Sequence, residues 1–216
     1  MRVLAVPIKS LERSKGRLAG TLSPAERAVL TMALLEDVLD ACFGQPGWEV
    51  AVVSRDQAVL EVAARRGARP VAEVGGSLLG AVRQVEATTK GRSSELAVLL
   101  GDLPYLTAGE LRRALALPGA VVAAPAVSDG GTNLLLRRPA SAIPARFGRS
   151  SYAKHRWAAR RQGLKLVEAH GLGLERDLDR PADLAALLAS DHRGRARTAC
   201  LEMGLAARLL ERPVGA

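Results

Sequence analysis

The sequence predicts an α/β domain with a mainly parallel central sheet flanked by helices. Three observations carry this. Short, nearly continuous apolar runs recur along the chain, as strands buried on both faces require. Helical patterns alternate with those runs, which implies right-handed crossovers between parallel strands. The 216 residues are 48% apolar, enough for one folded domain and too apolar for wholesale disorder. We read residues 1–216 as that single domain, with 190–216 a C-terminal helical extension.

Each element has its own signal. Val3–Ile8 is an apolar run and the first strand. Ser23-Pro24-Ala25-Glu26 reads as a capping box with proline at the first helical position. Met32, Leu35, Leu39 and Cys42 follow at helical spacing, and Gly44 to Gly47 ends the helix. Glu49–Val53 is the second strand. Ser54 and Gln57 read as another capping box, opening a helix to Arg66 that Gly67 closes. Arg69–Val74 is a strand and Ser77–Lys90 a helix. Leu96–Leu100 is the fourth strand, running into Gly101-Asp102-Leu103-Pro104, and Thr107 with Glu110 caps the next helix. Ala120–Pro125 and Thr132–Leu136 are strands, whereas Arg137–Arg149, with two prolines and Gly148, reads as a loop. Ser150–Gln162 is a helix and Leu164–Glu168 a strand. Pro181–Ala189 and Arg195–Leu210 complete the chain as helices.

Several functions are excluded at this level. No run of about 18 apolar residues exists, so no membrane-spanning helix is expected. Too few residues precede Lys9 for a signal peptide, and Cys42 and Cys200 lie far apart, so a cytoplasmic protein with free thiols is expected. The chain has no Gly-x-x-x-x-Gly-Lys-Ser/Thr and no strand-linked Gly-x-Gly-x-x-Gly, which argues against a P-loop and a dinucleotide site. His155, His170 and His192 show no metal spacing. The net charge of +9 favours an anionic partner, although arginine-rich usage from a GC-rich genome also produces it. Aromatic residues are only 3%, too few for base-stacking platforms.

In open α/β sheets, ligands bind beyond the carboxyl ends of the strands. Five segments there carry chemistry. The loop Pro7–Leu18 bears Lys9, Lys15 and Arg17, which suit a triphosphate or simply a solvated loop. Asp102 at a strand end suits Mg²⁺, or a turn cap. Asp129-Gly130-Gly131-Thr132-Asn133 suits an anion nest with a hydroxyl donor, or a hairpin turn. Phe147-Gly148-Arg149-Ser150-Ser151-Tyr152-x-x-His155 opens a helix whose N–H groups suit a phosphate, or carries a serine cap. Asp177 and Asp179 point the same way from an extended segment, as a divalent-cation pair or as ion pairs with Arg176 and Arg180.

In this order the pieces resemble one family. Val6-Pro7-Ile8-Lys9-Ser10-Leu11, Lys15-x-Arg17-Leu18 and Leu22-Ser23-Pro24-x-Glu26-Arg27 are similar to the start of the phosphoenolpyruvate or 2-phospho-L-lactate guanylyltransferases of coenzyme F420 biosynthesis. Gly101-Asp102-Leu103-Pro104, Asp129-Gly130-Gly131-Thr132-Asn133, Phe147-Gly148-x-x-Ser151-x-x-x-His155 and Asp177-Leu178-Asp179-x-Pro181-x-Asp183-Leu184 continue the likeness, which spans roughly residues 3–188.

The resemblance implies a molybdopterin-guanylyltransferase-like, Rossmann-type nucleotidyltransferase fold. It implies a reaction in which a small phosphorylated carboxylic acid attacks the α-phosphate of GTP and releases pyrophosphate. Asp102, Asp177 and Asp179 match the family's Mg²⁺ ligands. Thr132, Gly148 and Ser151 match its acceptor-phosphate positions, and Lys9, Lys15, Arg17 and Gly76 fall where relatives hold GTP. Asp102, Lys15 and Arg17 would then carry the catalysis. The chain departs from the family at Leu79, where relatives more often carry Asn near the guanine pocket. The acceptor is phosphoenolpyruvate, 2-phospho-L-lactate or 3-phospho-D-glycerate, and composition tilts the choice to the first. Homodimer formation stays open. A remoter alternative is a basic nucleic-acid-binding domain using Arg156, Arg160 and Arg161. A sugar-nucleotide transferase lacks a recognisable sugar loop here.

Overall fold

A computed structural model describes residues 1–89 and 94–210. Seven strands form one sheet: β1 (Arg2–Pro7), β2 (Trp48–Ser54), β3 (Arg69–Ala72), β4 (Glu95–Leu99), β5 (Val121–Pro125), β6 (Thr132–Arg137) and β7 (Leu166–Glu168). Their order is β3-β2-β1-β4-β6-β5-β7. All neighbouring pairs are parallel except those of β6, which runs antiparallel to β4 and β5. The fold is therefore the mixed, mainly parallel α/β class expected.

Nine helices connect the strands among the described residues: α1 (Pro24–Phe43), α2 (Gln57–Arg65), α3 (Leu78–Thr89), α4 (Ala108–Ala116), α5 (Ser151–Arg161), α6 (Leu172–Glu175), α7 (Pro181–Ala189), α8 (Arg195–Glu202) and α9 (Leu205–Leu210). Alternation along the strands sends side chains to opposite faces. Leu4, Val6, Val52 and Leu99 meet Leu35, Leu39, Val59 and Leu111 of α1, α2 and α4. Val3, Ala5, Val53 and Val98 meet Val82, Val85 and Ala158 of α3 and α5. Each fully buried Leu or Val contributes about 1.5–3 kcal/mol of hydrophobic stabilisation. A third cluster joins Leu18, Leu22, Leu30, Leu34 and Leu178 to Leu184, Leu187, Ala196, Cys200 and Leu205 of α7–α9. The C-terminal helices thus complete a small core of their own against α1.

The Ser23–Glu26 and Thr107–Glu110 capping boxes both form. The Ser54–Gln57 box does not. Asp56 caps α2 by accepting from Ala58 N, while the Ser54 hydroxyl accepts from Asp56 N at 3.1 Å. A carboxylate next to the helix start outcompetes a more distant hydroxyl. The expected helix Arg195–Leu210 is two helices, because Met203 and Gly204 (φ +67°) turn the chain between α8 and α9. Strand β3 stops at Ala72, two residues short of the expected end, and Arg137, read as loop, extends β6. The expected α3 terminus at Lys90 and the end of the C-terminal extension, residues 211–216, lie outside the described residues.

Candidate active site

Topology collects the five segments at one edge. The loops after β1, β3 and β4 leave the carboxyl ends of parallel strands. Because β6 is antiparallel, its amino end, Thr132, emerges on that same edge. A main-chain bond from Leu178 N to Asp102 O, 3.0 Å, ties the segment between α6 and α7 to the loop after β4. Gly101 permits the chain to pass here, since a Cβ would sit 2.0 Å from Ile8 Cδ1.

One half of the site is charged. Lys15 Nζ donates to Asp102 Oδ2 at 2.8 Å, to Asp179 Oδ1 at 3.2 Å and to the Leu178 carbonyl at 2.5 Å. Its side chain is 5% exposed. Burial works against the Lys15 ammonium, but Asp102 and Asp179 outweigh it and raise its pKa. Arg17 Nη1 donates to Asp179 Oδ2 at 2.9 Å. Asp177 accepts from Ser128 Oγ at 2.9 Å, and burial together with Asp102 pushes its carboxyl up to about 6. The alternative pairing with Arg176 and Arg180 is not formed among the described residues; Asp179 pairs with Lys15 and Arg17 instead.

The other half sets a buried hydroxyl cluster behind an exposed turn. Asp129 Oδ1 accepts from Gly131 N at 2.7 Å, shaping the turn between β5 and β6. Ser151 Oγ donates to Thr132 Oγ1 at 3.0 Å, and Thr132 Oγ1 lies 3.0 Å from His155 Nδ1. Thr132, Ser151 and His155 are buried. Gly148 takes φ +118°, a conformation that favours glycine, and its carbonyl accepts from Ser151 N at 3.0 Å. Tyr152 N donates to the Gly130 carbonyl at 3.2 Å. The first two amides of α5 are therefore already engaged. Ser150 makes no side-chain cap, so a simple serine cap does not explain this segment.

The remaining residues sit less centrally. Lys9 is exposed, with no hydrogen bond or ion pair among the described residues. Gly76, at φ +72°, lies beside Arg55; a Cβ there would come within 2.8 Å of Arg55 Nη1. Leu79 is partly buried and packs against the core cluster on the α3–α5 side of the sheet. One contributor, Ser128, escaped the sequence reading, and another, His155, stood in a motif without a role. Ser128 joins the β5–β6 turn to Asp177, linking the two halves, and His155 completes the hydroxyl chain. His155 lies four residues after Ser151, on the same helix face, which was the available signal.

The described residues hold no group of three or more His, Cys, Asp or Glu gathered as a metal cage. Mg²⁺ does not require one: it is commonly held by one or two carboxylates and completes its shell with phosphate oxygens and water. Asp102 Oδ1 is buried without a hydrogen-bond partner, and the Asp177 carboxylate is disfavoured by burial and by Asp102. Both are oxygen donors whose negative charge a hard cation would relieve, so they fit Mg²⁺. Asp179 is already neutralised by Lys15 and Arg17.

The family model for CofC-like guanylyl transferases matches residues 1–208. This chain belongs to that family. A phosphoenolpyruvate guanylyltransferase of Sphaerobacter thermophilus is 41% identical over 190 residues, 86% of this chain and 91% of the relative. A 3-phospho-D-glycerate guanylyltransferase of Phenylobacterium zucineum is 39% identical over 79% of this chain and 82% of its own. A 2-phospho-L-lactate guanylyltransferase of Methanothermobacter thermautotrophicus is 33% identical, covering 85% and 82%. Among solved structures, a candidate nucleotide-diphospho-sugar transferase from Desulfovibrio desulfuricans G20 superposes with TM-score 0.78 at 19% identity, covering 97% of this chain and 99% of that one. CMP:2-keto-3-deoxy-manno-octonic acid synthetase, complexed with CTP, superposes with TM-score 0.54 at 14% identity over 98% and 100%. At those identities the likeness concerns the fold.

Proposed function

We propose that this member of the family transfers GMP from GTP to the phosphate of phosphoenolpyruvate, forming enolpyruvoyl-2-diphospho-5′-guanosine and pyrophosphate in coenzyme F420 biosynthesis. A relative named for phosphoenolpyruvate has 41% identity, against 39% and 33% for relatives named for 3-phospho-D-glycerate and 2-phospho-L-lactate. Those two acids are the alternative acceptors. The observation that carries the reading is a two-part site at one sheet edge, an acidic half joined to a hydroxyl half by Ser128 and Asp177.

The acceptor phosphate is already anionic, so no strong general base is needed. One of its oxygens bonds to the α-phosphorus of GTP, and the bond from that phosphorus to the β-phosphate bridging oxygen breaks. Positioning and charge stabilisation do the catalysis. Asp102 and Asp177, with Asp179, would hold Mg²⁺. When bound, the ion supplies positive charge at the α-phosphate and the departing pyrophosphate. Lys15 and Arg17 exchange aspartate partners for phosphate oxygens and hold the leaving group. Lys9 and the main chain at Gly76 flank the nucleotide. Thr132, Gly148 and Ser151 orient the acceptor phosphate. The reading includes a cytoplasmic location and allows a homodimer.

The test is mass spectrometry of products from GTP, Mg²⁺ and each of the three acids in turn. A guanylylated product forming fastest with phosphoenolpyruvate supports the proposal. Faster turnover of another acid transfers it to that acceptor, and no guanylylated product with any acid sinks it.

A further inference from the structure

His155 is fully buried and touches no group of the charged half among the described residues, yet it sits inside the hydroxyl chain. Its Nε2 lies 2.8 Å from the main-chain N of Arg146. A peptide N–H only donates, so Nε2 must accept and carries no proton. Burial, then the charges of Arg137, Arg146 and Lys154, push the imidazole pKa down to about 4, which keeps the ring neutral. A neutral imidazole without a proton on Nε2 carries it on Nδ1. That N–H points at Thr132 Oγ1, 3.0 Å away. Nδ1–H occupies one acceptor position of Thr132 Oγ1, and Thr132 Oγ1 and Ser151 Oγ share one hydroxyl–hydroxyl bond at 3.0 Å. One of the two hydroxyl protons is used in that bond, and the other has no acceptor among the hydrogen bonds of the described residues. Phe147 fixes the imidazole plane by an edge contact, centroids 5.2 Å apart.

We infer that His155 is a positioning residue for the acceptor subsite: the Arg146 main-chain N–H sets its tautomer, and Nδ1–H, by occupying Thr132 Oγ1, turns the Thr132–Ser151 hydroxyl pair to donate its remaining proton to the acceptor phosphate. The inference rests on the acceptor reading of Thr132. It assigns the histidine a role in orienting a donor rather than in proton transfer. A hydroxyl pair whose remaining proton has no protein acceptor is a committed donor, which discriminates an anionic phosphate from a cationic or donor-bearing group.

Two experiments test it. Nitrogen-15 NMR of the imidazole in the unaltered protein at neutral pH should show Nδ1 protonated and Nε2 bare. The opposite tautomer, or an imidazolium, overturns the inference, and this reading needs no variant to fold. Steady-state kinetics with the preferred acid then give the coupling. Thr132→Val should raise the acceptor KM about ten-fold or more, the scale of a hydrogen bond to a charged group, with the GTP KM unchanged. His155→Leu should raise the acceptor KM by a few-fold, and His155→Asn, which keeps an N–H donor, by less. In the Thr132→Val background, His155→Leu should add nothing, since its route is already cut. A full additional rise in the double variant overturns the relay while leaving the acceptor reading intact. An unchanged acceptor KM in Thr132→Val overturns the acceptor reading itself, and the inference with it.

Discussion

The two halves of the site are held in opposite ways. On the acidic side, Lys15, Arg17 and three aspartates oppose one another, and Asp102 and Asp179 remain over a quarter exposed. This side is anchored from behind: Leu178, between Asp177 and Asp179, is fully buried in the cluster built with α7–α9. On the hydroxyl side, Thr132, Ser151 and His155 are neutral, buried and bound to each other. The contrast fits the chemistry each half is asked to do. Lys15 must change partners when phosphates arrive, so its cluster has to rearrange. A cradle that orients a nucleophile works best when its hydrogen bonds are set beforehand.

The largest effects should come from the acidic half. Asp102→Ala or Asp177→Ala should lower turnover about 10²-fold or more, the scale of a main electrostatic contact, while circular dichroism shows the fold retained. Near-normal turnover would make the aspartates an ion-pair cluster and nothing more.

Anchoring can be broken separately from charge. Leu178→Ala removes a fully buried side chain without touching a carboxylate. Urea unfolding should report about 2–5 kcal/mol of lost stability. A loss under 1 kcal/mol would show that the third cluster does not hold this segment.

Acidity should separate the halves in sign. His155 has its pKa pushed down to about 4, so the unfolded chain binds more protons between pH 6.5 and 4, and stability falls as pH drops through that window. Asp177, pushed up to about 6, acts oppositely: the native state binds more protons between pH 3.8 and 6, so stability from this group falls as pH rises. Thermal melts of Asp177→Asn should therefore lose stability more steeply on acidification than the unaltered protein. Parallel curves would contradict the opposition.

The smallest effect is expected at Leu79. It packs against the core cluster rather than standing free, so Leu79→Asn should change the ratio of GTP to ATP efficiency by less than about two-fold while lowering Tm slightly. A clear widening of guanine preference would return this position to base recognition.

Much of this was readable from local signals. Periodicity and turn residues gave the strands and most helices, and the strand-end rule pointed to Asp102 and Thr132. What the chain did not reveal locally was partnership. Lys15 finds Asp102 and Asp179 across 87 and 164 residues, and no spacing pattern encodes that. Asp56 displaced Ser54 as a cap because two good capping residues stood two apart. Gly204 split a helix whose apolar spacing continued through it. His155 was visible as part of a motif, but its role depends on the Arg146 main chain, a contact the loop conformation alone supplies.

The division of labour is tested most directly by paired kinetics of Arg17→Ala and Thr132→Val against GTP and the acceptor acid. Arg17 lies on the acidic half, 2.9 Å from Asp179, and Thr132 on the hydroxyl half. The account predicts that Arg17→Ala raises the GTP KM and leaves the acceptor KM nearly unchanged, while Thr132→Val does the reverse. Equal effects of either variant on both substrates would contradict it.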